Sequence, residues 1–157
     1  MLRRKSAFRN PKSAMEVGMS DEQHVREAND RFYMAMNTLE IDEMDEVWID
    51  DGAAICVHPG REAIIGYERI RESWMAIFAS SNSMSIAASN ERVTVAADVA
   101  WVACTETISM MTEEGLAAAA AQATNIFRRS GNRWRMIVHH ASPIPFTTLD
   151  EWPDVIN

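Results

Sequence analysis

Ala123-Thr124-Asn125-Ile126-Phe127-Arg128-Arg129, Ser130-Gly131-Asn132, then Arg133-Trp134-Arg135-Met136-Ile137-Val138-His139-His140-Ala141-Ser142-Pro143: this stretch decides the fold. Two β-prone runs flank Gly131-Asn132, a two-residue loop that tolerates positive φ, so the segment predicts a β-hairpin. A hairpin loop sets the register of its strands. Phe127 then pairs with Met136, Asn125 with Val138 and Ala123 with His140. The same reasoning around Glu114-Gly115 pairs Val102 with Phe127, Cys104 with Asn125 and Glu106 with Ala123. One face of the sheet collects Val102, Cys104, Glu106, Ile108, Ala123, Asn125, Phe127, Trp134, Met136, Val138 and His140. The other receives Arg128, Arg135, Ile126, Ile137, Thr124 and His139. The first set is the more apolar and is expected to face the helices.

Upstream, Ser20-Asp21-Glu22-Gln23 reads as a capping box, and Val25, Ala28, Phe32, Ala35, Met36 and Leu39 recur at helical spacing. A first helix is predicted over about 21–38. A short second helix carries Ile41, Met44, Val47 and Trp48 on one side. Its other side, Glu40, Asp42, Glu43, Asp45 and Glu46, reads as a solvated face without the ligand spacing of a cation loop. Ala53 to Val57 suits a strand closed by His58-Pro59-Gly60. Gly66 precedes a third helix with Tyr67, Ile70, Trp74, Ile77 and Phe78 in register. Strands are expected at about 84–96, 99–112, 117–129 and 133–142. Ala117 to Ala121 alone favours helix, but its place between two turns argues for extended chain. Helices followed by an antiparallel meander give an α+β class. The divisions expected are a basic flexible tail over 1–19, one domain over 20–145, and a tail over 146–157 tethered by Phe146 and Trp152.

The formal charge is −8. Five basic residues against Glu16 give the first 19 positions +4, leaving about −12 for the remainder. A domain that acidic does not suit non-specific nucleic-acid binding. No apolar run reaches the length of a membrane helix, about 20 residues. Cys56 and Cys104 fall in no Cys-x-x-Cys pair and read as reduced, small apolar residues of a cytoplasmic protein. There is no Gly-rich phosphate loop, Gly-x-Ser-x-Gly elbow or zinc spacing, so neither a cofactor nor a metal is expected.

Glu106 and His140 flank Ala123 in this register, about 10 Å apart by backbone. A carboxylate in an apolar pocket has its pKa raised by desolvation, and with an imidazole opposite it could move a proton on and off a carbon beside a carbonyl. His58, between a strand and Pro-Gly, is placed to point into a cleft. Trp48, Trp74, Phe78, Asn125, Phe127 and Met136 are the candidate ligand-lining residues. The ordinary alternative is that these groups are core and a satisfied polar pair.

The Asn-Ile-Phe-Arg-Arg…Trp-Arg…His-His-Ala-Ser-Pro wording, with Cys56-Val57-His58-Pro59-Gly60 upstream, resembles the SnoaL-like branch of the nuclear transport factor 2-like superfamily over about residues 20–145. The resemblance implies a curved antiparallel sheet wrapped round helices as a cone, dimerising through the sheet. Members include ketosteroid isomerases, polyketide cyclases, dehydratases and non-catalytic association domains. The Asp-and-Tyr set of the isomerases has no counterpart here, and a pair of pocket histidines is nearer the dehydratase-like members. Two readings follow. One is a homodimer binding a small apolar or carbonyl-containing molecule, with Glu106, His140 and His58 moving protons without a cofactor. The other is a dimerisation or association module.

Overall fold

Ser20 and Gln23 close the first helix reciprocally: the Ser20 hydroxyl accepts from the Gln23 amide at 3.3 Å, and Gln23 Oε1 accepts from the Ser20 amide at 2.7 Å. The computed structural model describes residues 19–81, 84–112 and 115–145, so both expected tails lie outside the described residues except for Met19. Helix α1 runs Asp21–Thr38 and α2 Ile41–Val47. Strands β1 (Ile55–Val57) and β2 (Ile64–Ile65) precede α3 (Tyr67–Ser80). Four long strands follow: β3 (Met84–Ala96), β4 (Val99–Thr112), β5 (Gly115–Ser130) and β6 (Arg133–Ile144). The alanine run is extended chain within β5.

The α+β class holds, with six strands in the order β2-β1-β6-β5-β4-β3. The long strands form the expected meander. The sequence did not reveal β2, nor that β1 would join β6 in parallel, Cys56 opposite His139. That pairing joins distant segments and leaves no local turn signal. The helices pack on one face, where the core gathers. Phe32, with no exposed surface, touches Tyr33, Trp48, Trp74 and His139 at ring-centroid distances of 5.2, 6.4, 5.8 and 4.9 Å. Burying one such side chain contributes about 1.5–3 kcal/mol.

Register is where sequence and structure part. Between β4 and β5 the turn lies one residue earlier than expected, so Thr112 faces Gly115 and Glu106 faces Ala121 rather than Ala123. The displacement is even, and the inner face is unchanged: Val102, Cys104, Glu106, Ala123, Asn125 and Phe127 are all buried. Between β5 and β6, Phe127 faces Met136 as expected, but Ile126 then faces Val138. Ile137 is an extra residue, a β-bulge, and beyond it the faces exchange. His139, opposite Asn125, is buried; His140, opposite Thr124, is exposed.

Candidate functional site

The bulge decides the site. His140 points away from the helices and does not meet Glu106, so the expected Glu106–His140 pair does not form. Val138 likewise leaves the inner set, while His139 enters it, 2% exposed.

Around His139 runs a chain of buried hydrogen bonds. His139 Nδ1 lies 2.7 Å from Asn125 Oδ1. Asn125 Nδ2 donates to Asn29 Oδ1 at 2.8 Å and to Tyr33 Oη at 3.1 Å. Tyr33 donates to Glu106 Oε1 at 2.9 Å and stands 3.1 Å from Cys104 Sγ. Asn29 Nδ2 donates to Glu91 Oε1 at 2.9 Å, and Arg26 reaches the other Glu91 oxygen at 3.1 Å. Asn29 and Tyr33 lie one turn apart on the buried face of α1. Two polar residues at i and i+4 within an apolar helix stripe were the available signal for them. Glu91 left none, because it turns toward α1 beside Asn90, whose φ is 55°, where the β3–β4 register shifts.

Burial sets the charges. His139 is pushed down to about 3, first by desolvation and then by the neighbouring histidines, so it is neutral at physiological pH. Glu106 is raised by desolvation, against the lowering effect of the Tyr33 hydrogen bond. Burial also pushes the Cys56 thiol up to about 12 and the Cys104 thiol to about 11, which keeps both protonated.

His58 lies on the same side, two residues beyond Cys56. Its Nε2 is 3.0 Å from Ser73 Oγ, and Ser73 donates to the Ile70 carbonyl at 2.8 Å. Because the Ser73 proton is committed to that carbonyl, neutral His58 donates from Nε2. Desolvation, then the charge of Arg61, lowers its pKa. The ring meets Trp74 edge-on at 4.7 Å, and Trp74 in turn lies 6.2 Å from His139. Trp74 Nε1 is buried with no hydrogen-bond partner among the described residues. His58 forms part of the wall of a 480 Å³ cleft between α3 and the β1–β2 connection, with Arg61, Glu62, Ile64, Ser73, Ala76 and Ile77.

The six expected lining residues do not border this cleft. Trp48, Asn125, Phe127 and Met136 are fully buried, Trp74 packs behind His58, and Phe78 lies half-buried against Trp74. Trp48, Trp74, Phe127 and Met136 belong to the hydrophobic core. Among the described residues no group of three His, Cys, Asp or Glu side chains could hold a metal ion. No helix there is long and apolar enough to cross a membrane.

Residues 25–147 match the family model described as SnoaL-like domain. The chain belongs to that family. A nuclear transport factor 2-like protein of Streptomyces avermitilis, provisionally designated a dehydratase, shares 31% identity and a TM-score of 0.74, over 80% of this chain and 96% of that one. A Thiobacillus denitrificans protein provisionally designated a calcium/calmodulin-dependent protein kinase type II association domain shares 29% identity and a TM-score of 0.65, over 76% and 94%. In Arabidopsis thaliana, the F-box protein SKIP8 is 24% identical over 114 residues, 73% of this chain but 47% of that protein. The chain thus spans about half the length of that curated relative. Proteins similar to this chain therefore carry both kinds of designation, enzyme and association domain, and the choice rests on this chain's own site.

Proposed function

We propose that this SnoaL-like protein binds a small organic molecule in the cleft beside His58, and that His58 moves protons on it without a cofactor. The observation that carries this is the placement of His58. A neutral imidazole stands on the wall of a largely apolar cleft, with the unpartnered Trp74 N–H and a second neutral imidazole behind it. A desolvated base at an apolar binding surface suits abstraction of a proton beside a carbonyl or elimination of water. The 31% identical dehydratase-designated relative agrees with that chemistry. Glu106, hydrogen-bonded to Tyr33, belongs to the interior network.

A second reading has its own support. Val99, Trp101, Met111, Leu116 and Ile144 are 39–72% exposed and alternate outward from the sheet, an apolar face suited to a second copy of the chain. We propose a homo-oligomer in either case; in the second it is the whole function.

Native mass spectrometry of the purified chain, with NMR titration of hydroxylated and carbonyl-bearing ring compounds, separates the two. Ala76 is exposed on the cleft wall, so Ala76→Trp fills the cleft without disturbing the core. The expected result is binding that shifts His58 resonances and weakens at least about tenfold in Ala76→Trp. A dimer that binds nothing, or binds equally well in that variant, overturns the ligand reading and leaves the association module.

A further inference from the structure

Glu91 is a carboxylate at the rim of the sheet, with its side chain 16% exposed and its Oε2 paired to Arg26. As a carboxylate it only accepts hydrogen bonds. Asn29 must therefore turn its NH₂ toward Glu91, at 2.9 Å, and its carbonyl inward. That carbonyl accepts from Asn125, at 2.8 Å, which commits the Asn125 NH₂ and directs the Asn125 oxygen at His139. An amide oxygen 2.7 Å from a ring nitrogen requires a proton on that nitrogen. Each step leaves the next residue one choice. Tyr33 follows the same polarity, accepting from Asn125 and donating to Glu106.

We propose that Glu91 and Asn29 are positioning residues that, through Asn125, fix the proton of His139 on Nδ1 and leave Nε2 as the bare acceptor of the ring. The tautomer stands independently of the reading given under Proposed function. Among the described residues His139 Nε2 makes no hydrogen bond. Two irregularities make the arrangement: the β6 bulge turns His139 inward, and the β3 irregularity beside Asn90 turns Glu91 toward α1.

The test is the two-bond ¹H–¹⁵N spectrum of the full-length, ligand-free protein labelled at histidine, which distinguishes the tautomers directly. The wild type is expected to show His139 protonated at Nδ1 and bare at Nε2. Glu91→Gln keeps the shape but supplies a donor as well as an acceptor, so the amide chain can reverse. The minor tautomer should rise about tenfold or more, the scale of one hydrogen bond to a charged group. Adding Asn29→Asp to Glu91→Gln restores an acceptor-only group beside Asn125 and should return the single Nδ1–H form. A wild-type His139 protonated at Nε2, or a Glu91→Gln spectrum unchanged in a folded protein, overturns the assignment. Failure to find a ligand leaves the tautomer standing, and the wrong tautomer leaves occupancy of the cleft standing.

Discussion

His139 and His58 lie on the same side of the sheet, touch the same tryptophan and are both desolvated, yet their surroundings differ in kind. His139 is tied into a chain of partners reaching from Glu106 to Arg26, every link buried or part-buried. His58 has one short hydrogen bond, to a serine, and distant contacts of 3.8–3.9 Å to the Cys56 sulfur. Its cleft remains open. The comparison teaches that the two imidazoles divide their work: one is held by the fold, and the other is left at a surface that a ligand can reach.

Breaking the held side should have the larger effect. Asn125→Leu strands His139, Asn29 and Tyr33 without their shared partner in a low-dielectric interior, at a cost of about 3 kcal/mol. Ser73→Ala on the cleft side should cost under about 1 kcal/mol. Urea unfolding midpoints of the two variants measure the contrast, and equal losses would erase the distinction.

A second effect is expected in the pH dependence of stability. The folded pKa of His139 is about 3, below the ordinary 6.5, so as pH falls the unfolded chain takes the proton first. Its contribution is complete above pH 6.5 and is lost between 6.5 and 3, at up to about 1.4 kcal/mol per pH unit. His139→Gln can still donate to Asn125 but cannot titrate, so it should flatten that decline. His58 is shifted in the same direction by burial and Arg61, so His58→Gln should flatten it less. Unfolding free energies at several pH values between 4 and 7 test the order of the two.

The smallest expected change sharpens the comparison at the far end of the network. Glu106 has the opposite sign, because burial raises its folded pKa above 4.5. Its contribution is full below that value and is lost as pH rises through the folded pKa. At neutral pH it therefore opposes folding, and Glu106→Gln, which can still accept from Tyr33, should stabilise by about 1 kcal/mol at pH 7 and not at pH 4. The same unfolding series reads it.

Much of this was legible in the residues. The capping box, the α1 stripe and the Gly131-Asn132 turn carry local signals, and each produced the expected element. The buried face of β4 and β5 also followed, because an even displacement of register preserves alternation. The β6 bulge was not legible. Met136-Ile137-Val138 is three apolar residues in a row, so either face could claim the residues beyond it, and only packing against Asn125 and Phe32 decides. Such a break in alternation beside a pair of histidines is the place where a sequence-based assignment of faces should stop. Glu91 was hidden for the same reason, since its direction depends on a backbone irregularity rather than a pattern.

The doubled histidine after that bulge has a consequence for how the chain finds one structure. Were β6 to pair without the bulge, Val138 would face Asn125 and His140 would face Ala123, so an imidazole would still enter the interior. The two alignments bury similar side chains and differ little in hydrophobic content. What separates them is that only one gives the inward imidazole an amide oxygen to meet. The His139–Asn125 contact thus favours one alignment over another that greasy side chains alone would accept.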